Sequence, residues 1–415
     1  MIAQDAVLAA VADAHRRGWG FVLAATVRVT RDIDLAEECV QEAYAKAISS
    51  WGAGGVPARP QAWLTTVARR NALDALRRRS TLANKLPLLI EDETATATTA
   101  GEAADETIDD RLRLIFTCCH PGLSLDARVA LTLRLLCGLK TAEVARAFLV
   151  SEATMAARIT RAKKKIAAVR IPYRVPSGSE LPDRIEAVLN VVHLLFTTGH
   201  TAPAGPGLVR NDLVERSLDL ARMLRQLLPD NADVAGLLAL ILLTDSRRQT
   251  RVAEDGRLLL IHEQDRSRWD QAAIAEGVGL VSEALRRRPP GRYALQAAIS
   301  AVHAQAPAAA DTDWRRIVAL YDELGDAWPS PVVTLNRAVA VGMCDGPEAG
   351  LVELEALGDE AQLRGYPYLP AAKAHFLRAV GRLTEARNAY EDALAMTDNE
   401  VERRFLADRL EEIGR

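Results

Sequence analysis

Apolar residues recur at i, i+3 and i+4 through almost every segment of the chain, the stripe left by a helix that buries one face. No stretch alternates apolar and polar residues between hairpin turns, so the pattern predicts an all-α protein. In a first block, residues 1–80, it predicts helices near 2–17, 20–29, 34–50 and 60–79. Asp34 is placed to cap the third of these, and the Gly- and Pro-rich GAGGVPARP at 52–60 breaks the chain before the fourth. In a second block, 111–170, Ser124 starts a helix that Gly138 stops after Cys137, and Thr141 and Ser151 can each cap a short helix. From 183 to 415 the pattern reads as a run of helix pairs. VAGLLALILL at 234–243 is apolar all round but half the ~20 residues a bilayer span needs, which predicts a buried helix and no membrane segment.

Charge divides the chain more finely than periodicity does. The net charge of −3 over 415 residues is uninformative as a total. No basic residue falls between Lys85 and Arg111, while 91–110 holds eight acids among small residues; residues 81–110 therefore read as a flexible acidic linker. The stretch 153–179 is the reverse, with no acid and seven bases, and IPYRVPSGSELP at 171–182 reads as a hinge. Length argues for two or three domains. Five cysteines, an odd count without a ladder of spacings or a signal peptide, point to a reducing cytoplasm. Cys118 and Cys119 are adjacent and poorly placed to share a zinc ion, so core packing is the expectation for them. No Ser/His/Asp set, phosphate-cradling loop or metal cluster stands out, so neither enzymatic turnover nor a cofactor is expected.

Three stretches carry chemistry. In TAEVARAFLVSEATMAARITRAKKKI (141–166), Val144, Ala145, Phe148, Val150, Met155 and Ile159 give two helices one apolar interior, the spacing of a helix-turn-helix with Leu149 in its turn. The second helix would present Glu152, Ala153, Ala156, Ala157 and Thr160 towards bases, with Arg158, Arg161, Lys163 and Lys164 on phosphates. In RPQAWLTTVARRNALDALRRR (59–79), Trp63, Leu64, Val67, Ala68, Ala72, Leu73 and Leu76 can be buried while Arg69, Arg70, Asn71, Arg77, Arg78 and Arg79 project, a mixture of aromatic and basic groups suited to unstacked bases. EQDRSRWD (263–270) reads as a salt-bridge network that caps a helix, or as a site for a ligand or another domain. Near the C-terminus Gly381, Ala386, Tyr390 and Ala393 stand at tetratricopeptide-repeat spacing, which predicts a helical-repeat solenoid.

In their order along the chain, these stretches resemble an extracytoplasmic-function sigma factor of bacterial RNA polymerase. DIDLAEECVQEAYAKAISSW resembles the family's core-binding helix, 59–79 its −10 reader and 141–166 its −35 reader, in which Thr154 also occupies a motif position. The long C-terminal block resembles a subgroup with a tetratricopeptide-like extension thought to regulate the factor. The resemblance implies region 2 at 1–80, region 4 at 111–170 and the extension at 183–415. It implies that Asp34, Glu37, Glu38, Gln41 and Glu42 face core polymerase, chiefly the β′ subunit, with β as a further partner. It implies that Arg59, Trp63, Arg69, Arg70, Asn71, Arg77 and Arg78 meet the −10 strand, and that the acidic linker follows the polymerase's RNA path. The extension is expected to dock on the N-terminal half or on a protein partner. A helix-turn-helix regulator with a helical effector or scaffold domain would account for 141–166 but not for the acidic helix followed by the Trp/Arg helix.

Overall fold

A computed structural model describes residues 4–85, 110–148 and 150–414. Most of the acidic linker, and Leu149 in the helix-turn-helix turn, lie outside the described residues. The described residues are almost entirely α-helical. They divide into two compact units, Met1–Val191 and Val192–Arg415, with the boundary inside a helix.

The first unit begins with α1 (Gln4–Thr30), α2 (Ile33–Gly54) and α3 (Pro60–Lys85). Two helices expected at 2–17 and 20–29 are one. Gly18 and Gly20, within it, are points of close approach: a Cβ at Gly20 would lie 2.5 Å from the Leu136 carbonyl oxygen, and one at Gly18 would lie 2.8 Å from Gln61 Cγ. Each interior glycine costs a helix about 1 kcal/mol relative to alanine, a cost that this packing offsets. The cap of α2 is Asp32 rather than Asp34; its carboxylate accepts from the Asp34 and Leu35 amides. Proline at the first position of α3 needs no hydrogen bond there. Leu23, Trp51 and Leu64 from the three helices are fully buried.

The chain continues through α4 (Asp110–Cys118), α5 (Leu125–Leu131), α6 (Thr141–Ala147) and α7 (Glu152–Ala168). Beyond α5 the chain widens into a π-helical turn, Thr132–Leu136, and Gly138 at φ 69° ends it as expected. Cys118 and Cys119 are buried in this core. α8 (Leu181–His200) spans the boundary between the units. The 171–182 segment before it is anchored within the first unit: Ile171 is buried, and the Tyr173 hydroxyl donates to the carbonyls of Ala24 (2.8 Å) and Asp110 (3.2 Å).

The second unit holds α9 (Asn211–Leu227), α10 (Ala232–Asp245), α11 (Gln271–Ala284), α12 (Arg292–Gln305), α13 (Trp314–Ala327), α14 (Pro331–Asp345), α15 (Pro347–Glu355), α16 (Tyr368–Ala379), α17 (Leu383–Ala395) and α18 (Glu400–Gly414). From α9 onward each helix packs on the next. The apolar 234–243 stretch is the buried heart of α10. α16 and α17 form the pair read from the tetratricopeptide spacing: Gly381 takes φ 79° between them, and Ala386, Tyr390 and Ala393 are buried. The end of this unit is tied to its beginning. Asp398–Asn399 pairs in parallel with Ala204–Gly205, and Asn399 Nδ2 donates to the carbonyls of Ala202 (3.0 Å) and Gly207 (2.9 Å). These contacts join the last helix of the unit to the loop that follows α8.

Candidate nucleic-acid and polymerase interface

Helices α6 and α7 share the predicted apolar interior. Val144, Ala145, Met155 and Ile159 are buried, and Phe148 and Val150 half-buried. The Ser151 hydroxyl caps α7 by accepting from the Thr154 amide at 3.2 Å. The cap of α6 is Lys140, one residue before Thr141, and its amide donates to the Glu143 carboxylate at 2.6 Å. On the opposite face of α7, Glu152, Ala153, Thr154, Ala156, Ala157, Thr160, Arg161 and Lys164 are exposed. Arg158 is half-buried, 5.5 Å from the Phe148 ring centroid and 3.3 Å from the Asp126 carboxylate.

Along α3, Arg59 (just before the helix), Arg70, Arg77 and Arg78 are exposed and Arg69 is half-buried. Trp63 is half-buried, edge-on to Trp51 at 5.7 Å. Two residues depart from the expected pattern. Asn71 does not project: it is buried, its Nδ2 donates to the Cys39 carbonyl at 3.2 Å and its Oδ1 accepts from Lys46 at 2.8 Å. Its amide thus fastens α3 to α2, where an aliphatic side chain would leave a carbonyl without its donor. Leu73, expected in the core, is 48% exposed. At i+3 from Arg70 and i−4 from Arg77, it gives a basic face an apolar centre.

On α2, Asp34, Glu38, Gln41 and Glu42 are exposed, as an outward acidic face requires. Glu37 is not on that face; it is only 5% exposed. Its carboxylate receives two cations from the second helical block: Arg134 at 2.9 Å and Lys163 in close contact. Lys163 also holds Asp34 at 2.7 Å. Burial alone would lower the Lys163 pKa, but the Glu37 and Asp34 carboxylates outweigh it and hold the pKa above its ordinary value. Lys163 therefore serves an internal ion-pair cluster rather than solvent.

This cluster lies on a close-packed seam between α1–α3 and the block that carries the helix-turn-helix. Gly20 meets the Leu136 backbone there, Gly138 meets Trp19, and Arg134 lies 5.8 Å over the Trp19 ring. Arg28 adds a pair to Asp110 at 3.3 Å. The sequence reading missed Arg134 and Tyr173. A lone arginine in the apolar run ALTLRLL was a signal for Arg134, because a charge in a buried stripe needs a partner.

Residues 14–81 match Sigma-70 region 2, residues 113–166 match Sigma-70 region 4, and residues 184–285 match a family of unknown function (DUF6596). The chain is also similar to an uncharacterized protein of Rhizobium meliloti (strain 1021), 40% identical over 395 residues that cover 94% of this chain and 93% of the relative. Among the described residues no helix is long and apolar enough to cross a membrane. The chain belongs to the sigma-70 family, as an extracytoplasmic-function-like sigma factor that binds core RNA polymerase and promoter DNA and carries a C-terminal extension.

Proposed function

We propose that this sigma factor rests in a closed form, in which regions 2 and 4 cover part of each other's working surfaces, and that it opens on core polymerase to read −10 and −35 DNA. The observation that carries the reading is the Lys163 cluster: a residue expected on −35 phosphates is bound to two residues expected on polymerase, Asp34 and Glu37. Opening frees both partners at once, so polymerase and promoter each draw on the same release. The exposed acids Glu38 and Glu42 give polymerase a first foothold without opening. Arg70, Leu73 and Arg77 form the −10 face, while Asn71 and Trp63 hold α3 in place. In this reading the C-terminal extension sets how readily the seam parts. Reconstitution with core polymerase on a genomic fragment library, followed by sequencing of RNA 5′ ends, should give start sites that share two upstream elements. Start sites with no shared element, or none above core enzyme alone, would refute the reading.

Region 4 carries a separate prediction. Arg161 and Lys164 are exposed on α7 and bind no carboxylate among the described residues. Replacing both by alanine should weaken binding to all DNA sequences and reduce the slope of log K against log salt by about two, one per lost phosphate contact. Fluorescence anisotropy across a salt series measures this; an unchanged slope would place these residues off the DNA. Thr160→Ala should instead alter preference among −35 sequences with little change of slope.

A further inference from the structure

The second unit contains a cavity of about 90 Å³ between α10, α12 and the EQDRSRWD segment. Its lining is both polar (Arg247, Thr244, Ser300 and His303) and apolar (Leu243, Ile261 and Trp269). The Thr244 and Ser300 hydroxyls, on facing helices, are 3.5 Å apart. His303 Nδ1 is buried without a hydrogen-bond partner.

Arg247 is distinguished by what its neighbours do. Arg248 takes the nearby Asp245 carboxylate, with its Nε donating at 2.7 Å. Arg251 donates to the His200 carbonyl and, at 2.9 Å, to the Thr201 hydroxyl. Arg266 donates to the carbonyls of His303 (2.5 Å) and Ala306 (2.8 Å). The Arg247 guanidinium has no ion-pair or hydrogen-bond partner among the described residues. Burial lowers its pKa to about 10, so it remains charged at neutral pH. Burial, with the charges of Arg247 and Arg266, lowers the His303 pKa to about 4, which leaves that ring neutral. Arg247 is half-buried, and a partly desolvated charge without a counter-charge favours an anionic partner; it lines the cavity together with two hydroxyls and an imidazole.

We propose that this cavity is a binding site for a small carboxylate whose anionic end pairs with Arg247 and the Thr244 and Ser300 hydroxyls, and whose short carbon chain lies against Leu243, Ile261 and Trp269. A cavity of about 90 Å³ suits a small organic anion rather than a large ligand. A planar guanidinium matches a carboxylate in two parallel hydrogen bonds. The apolar walls favour a carbon chain over inorganic phosphate, which needs donors on every side. EQDRSRWD builds the site as well as capping α11 through Asp270. The Trp269 indole N–H is fixed on the Thr250 hydroxyl at 3.0 Å, and Arg266 stacks 4.7 Å from its ring while holding the His303 backbone. The site does not depend on the closed-form reading of regions 2 and 4.

The full-length chain should be titrated with acetate, propionate, butyrate and inorganic phosphate at constant ionic strength, following tryptophan fluorescence and calorimetric heat. Propionate or butyrate should bind saturably, and phosphate more weakly. Arg247→Met should weaken carboxylate binding about tenfold or more, while the ligand-free variant melts no lower than the parent, since the guanidinium makes no ion pair or hydrogen bond among the described residues that the substitution would remove. Thr244→Val, which keeps the side-chain shape, should weaken binding by a smaller factor. The proposal is overturned by absence of saturable carboxylate binding, by tighter binding of phosphate, or by an Arg247→Met protein that melts well below the parent.

Discussion

Gly20→Val should part regions 2 and 4 and raise affinity for core polymerase. The glycine faces a backbone atom, the Leu136 carbonyl oxygen, and even a Cβ there would sit 2.5 Å from it. A carbonyl fixed in the turn after α5 cannot rotate aside as a long side chain could. Valine is no worse a helix former than glycine, so α1 itself should persist; the seam takes the strain. Its loss separates Glu37 from Arg134 and Lys163. Breaking a buried ion pair costs about 3–5 kcal/mol when one charge stays buried, but parting the whole seam returns both charges to water and lowers that cost. If the closed form is favoured by about 3 kcal/mol, it reduces apparent affinity for any partner of the open form by about a hundredfold. The variant should recover much of that factor in a binding titration with core polymerase, and should melt earlier with its helix content retained. Unchanged affinity together with unchanged melting would show that the seam neither closes the molecule nor limits its partner. Loss of helix content at room temperature would show that regions 2 and 4 fold only as one body, which also excludes opening.

The residues on this seam also show where sequence reasoning stops. Periodicity reports which face of a helix is buried, and it located the interiors of α6 and α7 and the small-residue contacts of α17 from spacing alone. Capping chemistry is local, so Ser151 and Gly138 could be read directly. The close approach at Gly20 is not local, because the backbone it admits belongs to a segment more than a hundred residues away. Glu37 has the same origin. It lies on the flank of an acidic face, and only the arrival of Lys163, 126 residues later, decides that it is interior. Asn71 looked like one more polar group in a basic run, yet its partners sit on α2. Polar side chains are legible when their partners are near in sequence and illegible when their partners are supplied by the tertiary fold. Arg247 extends the point, since its meaning lies in partners that its neighbours have already taken.

Reversing Glu38 and Glu42 to lysine should abolish holoenzyme formation and leave the fold intact. Both are exposed at i and i+4 on α2, on the opposite flank of Asp34 from Glu37, and neither makes an ion pair among the described residues. Lysine matches glutamate in helix propensity, and exposed substitutions of this kind usually stay within about 0.5 kcal/mol, so melting should hardly move. Binding is different. Two acids that meet a basic surface on core polymerase become two bases against it, and like charges placed together across an interface cost several kcal/mol. At 1.4 kcal/mol per factor of ten, a loss of about 4 kcal/mol weakens binding roughly a thousandfold, enough to lose co-elution at micromolar concentrations. Glu37→Gln provides the contrast: it weakens the seam without touching the exposed face, so it should keep or improve polymerase binding while lowering thermal stability. Size-exclusion chromatography of each variant with core enzyme separates the cases. Normal co-elution of the double reversal would move the polymerase surface off this face of α2. Loss of binding by both variants would instead mean that Glu37 itself reaches polymerase once the seam has opened.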